Sequence, residues 1–499
     1  MSCSNSKTVE PHSNKPTMHS NGQLIDIDGV FHHARLSRDR RFDGLFFVAV
    51  VTTGIYCRSI CPAKPAQEAN VYYFSHGAAA SRAGFRPCLR CRPDASPGSQ
   101  AWVGSSGLLK QAIDLSLQIS PQTGLFYSIT EIASRLAISS RYLRQLCQQH
   151  MGLPLKQYRL HQQLLMAKQL LQSSHLPIED IAGYCGFNSL RSFNSACRLK
   201  LGVAPSHMRR GKSSDNTIQF VISYRPPYNW RYVHQFLVKR CIDGMASSQR
   251  PHQYLTTLEL ENIKGLLEIN HQGEHCRFTI RFWPHPLSKQ VDVLGLNRLV
   301  RQMLDTDADS ELIDQHISQV LPDTGLSGLR LVTTTSPFEA ICRAILGQQV
   351  TLSFGIKLTH MLVHRLGETW SFQHNTYYFF PRPEVIAHSD LSFLPIPRSR
   401  QHTLLNIAQL WCDVINPQES DWLGIKGIGP WTCDYVRMRG LGSTDRLLLG
   451  DAVVKKQLSK YVTPEKTLEE VGRHWQQHCR PWGSYLTHQL WALNNQESK

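Results

Sequence analysis

Four cysteines constrain this chain more tightly than any other feature. Cys57 and Cys61 form a C-x3-C pair, Cys88 and Cys91 form a C-x2-C pair, and a single loop separates them. Two close pairs brought together by a loop supply the four thiolates that tetrahedral Zn²⁺ takes. The segment around them is short, so it is expected to fold on one metal ion rather than on a large core. The alternative is four unrelated buried thiols. Arg58, Arg86, Arg90 and Arg92 crowd the same pairs. Their charge offsets the net negative charge of a zinc tetrathiolate and can also grip phosphates. Spacing alone does not separate a structural zinc finger from a reactive centre.

The rest of the chain is too long for one core. With 499 residues, three or more domains are expected. An apolar fraction of 41% excludes global disorder. A formal net charge of +16 suits a polyanionic partner, nucleic acid first, over a merely basic soluble protein. The first residues lack the apolar stretch of a signal peptide, and no apolar run reaches membrane length. A cytoplasmic, nucleoid-associated protein with no membrane partner is expected. Its 14 cysteines then stay mostly reduced, so a tight cluster of them points to metal or catalysis.

Composition divides the chain. Residues 1–21 are polar and read as disordered, 95–107 as a Ser/Gly/Pro linker, and 211–216 as a second linker. Residues 108–210 look helical and basic. SITEIASRL followed by SSRYLRQLCQQH reads as helix, turn and helix, with Ile132, Ala133 and Leu136 on one apolar face and Leu143 and Leu146 on the next. The pattern returns as IEDIAGYCGF and NSLRSFNSACRLKLG. Between them Leu160, Leu164, Ala167 and Leu171 step along one helical face. An ordinary helical bundle would show the same spacing.

From Phe220 a mixed, strand-containing region gives way to helices. LGIKGIGPWTCDY holds Gly427-Ile428-Gly429, a tight hairpin whose glycines let backbone N–H groups approach a phosphate. Taken alone, G-x-G is usually just a turn. Three features strengthen it: Asp451 in LLLGDAVVKKQL, a helix with Phe338, Ile341 and Ile345 ending in LGQQV, and the aromatic-bearing RPWGSYLTHQLW. A buried Asp451 that merely caps the helix after it is the plain structural alternative.

Residues 52–61 and 84–91 resemble the N-terminal methyl-accepting module of the Ada family. The resemblance implies that Cys57, as first ligand, takes a methyl group from a DNA methylphosphotriester. One Zn²⁺ per chain on Cys57, Cys61, Cys88 and Cys91 keeps the thiolate nucleophilic. I-x-D-I-A-x-x-x-G-F, Ser192-Phe193 and G-V-A-P-S resemble the AraC-type double helix-turn-helix. In that family the second helix of each unit enters the major groove, which makes Arg141, Arg144, Gln145, Arg191 and Asn194 the DNA-facing side chains.

The region from Phe220 to Trp491 resembles the AlkA family of 3-methyladenine-DNA glycosylases, in the helix-hairpin-helix superfamily. YRPPYNW matches the start of its mixed domain; the match is patchy over 231–325 and specific over 336–358 and 423–457. It implies a catalytic Asp451, a base pocket of Trp431, Tyr435, Gln348 and Trp491, and DNA contacts from Gly427, Gly429 and the wedge residue Gln349. Aromatic faces replace the stacking an everted base loses and attract one made cationic by alkylation. Bifunctional relatives carry a Schiff-base lysine where this chain has Trp431, so β-elimination is not expected. Only Cys479 lies where iron–sulphur relatives place four cysteines, so no cluster is expected; a monovalent cation at the hairpin is.

The expected fold is multidomain α+β: a small zinc-bound α/β module (22–94), an all-α double helix-turn-helix (108–210), a mixed α+β domain (219–325) and an all-α helix-hairpin-helix glycosylase domain (326–499). The expected activities are hydrolytic excision of alkylated bases of the 3-methyladenine and 7-methylguanine type, methyl transfer to Cys57, and transcriptional regulation. The protein would act as a monomer on alkylated and promoter duplex DNA. The alternative is a transcriptional activator that senses methylated DNA with a catalytically passive glycosylase-like clamp. O6-alkylguanine repair needs a Pro-Cys-His-Arg motif, and neither His275-Cys276-Arg277 nor His478-Cys479-Arg480 provides it.

Overall fold

The computed structural model describes residues 23–497, apart from 25, 27–28, 39–41, 44–45, 75–76, 89, 92, 94–99, 121–122, 210–216, 261–262, 289–290, 323, 415–416 and 464–466. The polar segment 1–21, the linker 211–216 and Arg92 lie outside the described residues. The chain divides into two compact units, residues 1–112 with 136–150 and residues 113–135 with 151–499.

The first unit carries a five-stranded sheet in the spatial order Gln23–Leu24, Val71–Phe74, Phe47–Val50, Ile55–Arg58, Arg86–Pro87. The runs FVAV and VYYF are β-branched and aromatic, which suits strands. Side chains alternate between faces, and both faces are covered. Phe47, Ala49, Tyr56 and Phe74 pack with Ala79 and Ala80 of helix Gly77–Arg82. Phe46, Val48 and Tyr73 pack with Ala34 of helix Val30–Ser37. Each core is only a handful of residues, as expected for a module that needs a metal.

One expectation fails in this region. Residues 100–107, read as linker, open a helix that runs Gln100–Ser116. Leu108, Leu109 and Ala112 are buried farther along it. Once a helix is nucleated, each further residue adds a hydrogen bond, so it extends into weak formers such as Ser and Gly. Helix Ser140–Met151 buries Leu143 and Leu146, as its spacing predicts, and Cys147 beside them.

In the second unit, helix Ile129–Arg135 starts on a reciprocal cap. Ser128 N donates to Glu131 Oε2 at 2.7 Å, and Glu131 N donates to Ser128 Oγ at 3.2 Å. Helices Ile178–Tyr184 and Leu190–Leu201 flank Gly186 at φ +76°, where a Cβ would stand 2.0 Å from the Phe126 ring. Helix Leu155–Ser173 buries Leu164, Ala167 and Leu171, with Leu160 half-buried beside them. The same core contains Ile218, Phe220 and Ile222 of the next strand. Val221 N also donates to Gln169 Oε1 at 3.3 Å. The second helix-turn-helix is therefore packed onto the mixed sheet rather than strung beside it.

That sheet is antiparallel, in the order Ile218–Ser223, Arg277–Pro284, Ile263–Gln272, Gln253–Leu260, Ala246–Ser247. Helix Trp230–Val238 packs its Trp230, Val233 and Phe236 into the same core. The helical region that follows adds one short hairpin, Thr369–Phe372 with Asn375–Tyr378, whose Trp370 stacks on Phe372 and Phe379. Among the described residues no helix is long and apolar enough to cross a membrane.

Candidate functional site

The cysteine cluster is built by the sheet edge. Cys57 lies on strand Ile55–Arg58 opposite Val48. Cys61 follows on a turn closed by Cys61 N donating to Arg58 O at 3.1 Å. Cys88 N donates to Tyr56 O at 3.0 Å, which brings the second pair alongside the first. All four Sγ atoms lie within 4.8 Å of one another, and Cys61 and Cys88 Sγ are 3.9 Å apart. Tetrahedral Zn–S bonds of ~2.3 Å place sulfurs about 3.8 Å apart, so the cluster fits zinc.

Charge supports the same conclusion. Hydrogen bonding to Cys61, then to Cys91, and then burial push the Cys57 thiol far up. Hydrogen bonds from Cys57 and Cys91 hold Cys61 down at about 2. Four thiolates held this close repel one another. A dication lets all four ionise together.

The four are not equally accessible. Cys88 and Cys91 are each only 7% exposed, whereas Cys57 and Cys61 are half-buried. Arg58 does not reach for phosphate. It is buried, paired with Asp43, and donates from Nη1 to Cys91 O at 3.2 Å, while its backbone N donates to Cys91 Sγ at 3.3 Å. It serves the cluster from within. Arg86 and Arg90 remain exposed.

A second site lies in the other unit, in a cleft of about 1800 Å³. Helices Glu419–Leu423 and Pro430–Arg439 flank the glycine hairpin, with Pro430 at the first helical position. Gly427 sits at φ +98°, and a Cβ there would meet Thr403 Oγ1 at 2.4 Å. Thr403 Oγ1 donates to Lys426 O at 2.9 Å, and Gln348 Nε2 donates to Gly427 O at 2.9 Å and to Thr432 Oγ1 at 3.1 Å. Gln348 thus lines the cleft while its amide braces the hairpin. Gln349, exposed at the cleft, holds φ +56°, a strained value for a residue with a side chain.

Trp431 and Tyr435 stand one turn apart on the same helix, with ring centroids 5.4 Å apart. Asp451 caps helix Ala452–Leu458. Its Oδ1 accepts from Val453 N at 3.0 Å, Val454 N at 3.1 Å and Trp491 Nε1 at 3.1 Å. The capping reading is therefore correct as far as one oxygen goes. No group among the described residues donates to Oδ2. A cap needs one oxygen, and the half-buried Asp451 carries a second one in the cleft wall. Trp491 stacks on Phe236 with centroids 5.9 Å apart and planes at 20°.

Sequence reasoning missed several cleft residues. Arg240, Arg343, Arg439 and Tyr254 line it, and Phe236 backs it through Trp491. Arginine carries no apolar periodicity to mark it. The signal available was the buried face of helix Trp230–Val238, which points Phe236 inward. Arg141, Arg144, Gln145 and Arg191 are exposed on their helices, and Asn194 is half-buried. The four exposed side chains lie outside the buried faces of their helices, where a partner can reach them, while Asn194 flanks the face that buries Phe193 and Cys197.

Comparison with known proteins agrees with this layout. A family model for the metal-binding domain of Ada matches residues 31–94, a helix-turn-helix model matches 132–211, and an AlkA N-terminal domain model matches 219–334. The probable bifunctional transcriptional activator/DNA repair enzyme AlkA of Mycobacterium tuberculosis is 31% identical over 488 residues, covering 92% of this chain and 95% of its own. DNA-3-methyladenine glycosylase 2 of Escherichia coli is 23% identical, over 54% of this chain and 96% of its own. The bifunctional transcriptional activator/DNA repair enzyme Ada of Escherichia coli is 34% identical, over 28% of this chain and 36% of its own. The chain belongs to the family of AlkA-type bifunctional transcriptional activator/DNA repair enzymes, with an Ada-type zinc domain and a helix-turn-helix domain ahead of an AlkA-type region.

Proposed function

We propose that this protein excises alkylated bases from duplex DNA and separately removes methyl groups from DNA phosphotriesters, using the second reaction to regulate transcription. The observation that carries the excision reading is the division of labour within Asp451. Three donors fix Oδ1, so the carboxylate is aimed before substrate arrives, and Oδ2 is left to face a sugar. An alkylated purine is cationic and already a good leaving group. As its N-glycosidic bond breaks, positive charge develops on the sugar, and a preorganised carboxylate stabilises it. The base departs neutral, and water then adds to the sugar cation and loses its proton to solvent. Trp431, Tyr435 and Trp491 supply the faces on which the everted base stacks, with Gln349 as wedge. The amides of Gly427 and Gly429 hold a backbone phosphate.

Methyl transfer is a single displacement. The Cys57 thiolate attacks the methyl carbon of a phosphotriester, an S–C bond forms, the methyl C–O bond breaks, and the phosphodiester anion leaves. Zinc bound by Cys57, Cys61, Cys88 and Cys91 supplies deprotonation of the sulfurs at neutral pH. Exposed Arg86 and Arg90 suit the approach of a phosphate. A thioether cannot revert, so each chain acts once. The exposed Arg141, Arg144, Gln145 and Arg191, with Asn194, read promoter DNA in the nucleoid. A monovalent cation at the hairpin completes the set, where Lys426 O and Gly427 O each accept one hydrogen bond, from Thr403 and Gln348, and keep a second lone pair.

Two outcomes are expected here. Elemental analysis of purified protein gives one zinc per chain, and a Cys88→Ala/Cys91→Ala variant loses it together with the fold of the small module. Zinc retained in that variant would rule the site out. Trp431→Lys does not become an efficient lyase, because a Schiff base also needs a nearby base and an aimed amine. Borohydride trapping of a covalent DNA complex with that variant would show otherwise.

A second reading makes the cleft a passive clamp. The free Asp451 Oδ2 argues against it, and loss of excision on Asp451→Asn separates the two.

A further inference from the structure

The floor of the cleft carries charge that the excision chemistry does not use. Arg343 is answered by Glu339, Nε to Oε1 at 2.7 Å. Arg240 and Arg439 have no carboxylate partner among the described residues. Both rest on one ring: the Arg240 guanidinium lies 3.6 Å from the Phe236 centroid and the Arg439 guanidinium 4.6 Å from it. Arg240 also lies 6.0 Å over the Trp491 ring, whose Nε1 holds Asp451. The two arginines are thus one aromatic layer behind the carboxylate.

Arg439 is only 4% exposed, yet its Nε and Nη1 find no partner. Arg240 makes a single hydrogen bond, Nη1 to Phe236 O at 3.2 Å. Burial pushes its pKa down to about 10, with the charge of Arg439 adding to the effect, so it stays a cation at neutral pH. The buried, open donors of Arg439 need an acceptor, and the half-buried Arg240 lines the cleft beside it. Structural arginines on this cleft, such as Arg343, have theirs.

We propose that Arg240 and Arg439 are specificity-determining residues that read the far edge of the everted base and favour a carbonyl acceptor over an amino group. The inference rests on the excision reading above. An alkylated guanine presents its C6 carbonyl oxygen to the two forks. An alkylated adenine presents an amino group, a donor facing donors. The floor's positive charge opposes any cationic base, so the carbonyl contact is what offsets that repulsion. One charge-assisted hydrogen bond is worth about tenfold to a hundredfold in such a choice. Arg240 and Arg439 do not touch the sugar; their role is selection, not bond breaking.

The test uses full-length protein on duplex DNA treated with a simple methylating agent, which carries 7-methylguanine and 3-methyladenine together. Initial release rates of the two bases are measured in one reaction for wild type, Arg240→Met, Arg240→Lys and Arg439→Met. Their ratio does not depend on how much protein is folded. The 7-methylguanine to 3-methyladenine ratio is expected to fall about tenfold or more in Arg240→Met, and less in Arg240→Lys, which keeps charge but loses the fork. Arg439→Met should lower it in the same direction. A ratio within about twofold of wild type in both methionine variants, whatever happens to the rates themselves, overturns the proposal. Wild-type protein that releases neither base overturns the excision reading instead.

Discussion

Asp451→Asn is expected to lower release of 3-methyladenine from methylated duplex DNA on the order of a thousandfold, a loss typical of removing a preorganised charge from a developing ionic centre. Affinity for an abasic-site analogue should stay close to wild type. Asparagine keeps an oxygen able to accept from Val453 N, Val454 N and Trp491 Nε1, so the cap and the aromatic wall survive. What disappears is the negative charge at the second position, which no other group among the described residues engages. Binding depends instead on the hairpin amides, held in shape by Thr403 and Gln348. Normal excision by Asp451→Asn would reduce Asp451 to a helix cap.

Exposure to DNA bearing methylphosphotriesters should add a single methyl to the protein, on Cys57, with no turnover, and Cys57→Ser should take up none. Exposure sets Cys88 and Cys91 aside as buried residues but does not favour Cys57 over Cys61, since the Cys57 sulfur is itself buried in the cluster. Of those two, Cys57 stands on the strand itself, beside the Arg86 strand that pairs with it. Methylation converts a thiolate to a thioether and removes one negative charge facing DNA. One charge at ~8 Å from a phosphate, at an effective dielectric of ~20, is worth about 2 kcal/mol. The methylated protein should therefore bind DNA about tenfold or more tightly at low salt, with the gain shrinking as salt rises. Peptide mapping decides the position. A methyl found only on Cys61 would move the acceptor role there.

Features written contiguously were legible in the sequence. The two cysteine pairs, the glycine hairpin and Asp451 with the helix behind it each occupy a few neighbouring residues, and their spacing carries their geometry. The apolar steps of Leu164, Ala167 and Leu171 likewise place one buried face. Composition misled at residues 100–107, where Ser and Gly look like a linker but join a helix anchored by Leu108, Leu109 and Ala112. Arg58 misled too: its charge sits beside the cysteines but turns inward to Asp43. The cleft floor was invisible because it forms only in three dimensions. Helix Trp230–Val238 contributes Phe236, with Arg240 just beyond its end, and helix Pro430–Arg439 contributes Arg439. No local pattern announces that these residues meet. The packing of helix Leu155–Ser173 onto the strand at Ile218 was hidden for the same reason.

The central claim is that one chain carries two independent alkylation chemistries at two sites, and one incubation addresses it most directly. Purified full-length protein, mixed with methylated duplex DNA, is sampled over time for free bases in the supernatant and for methyl on the protein by intact mass and peptide mapping. The account predicts catalytic release of alkylated purines beside a methyl signal that stops at one per chain on Cys57. Asp451→Asn should abolish only the first, and Cys57→Ser only the second. Methyl uptake by wild-type protein with no base released from any alkylated duplex would contradict it and leave the cleft a passive clamp.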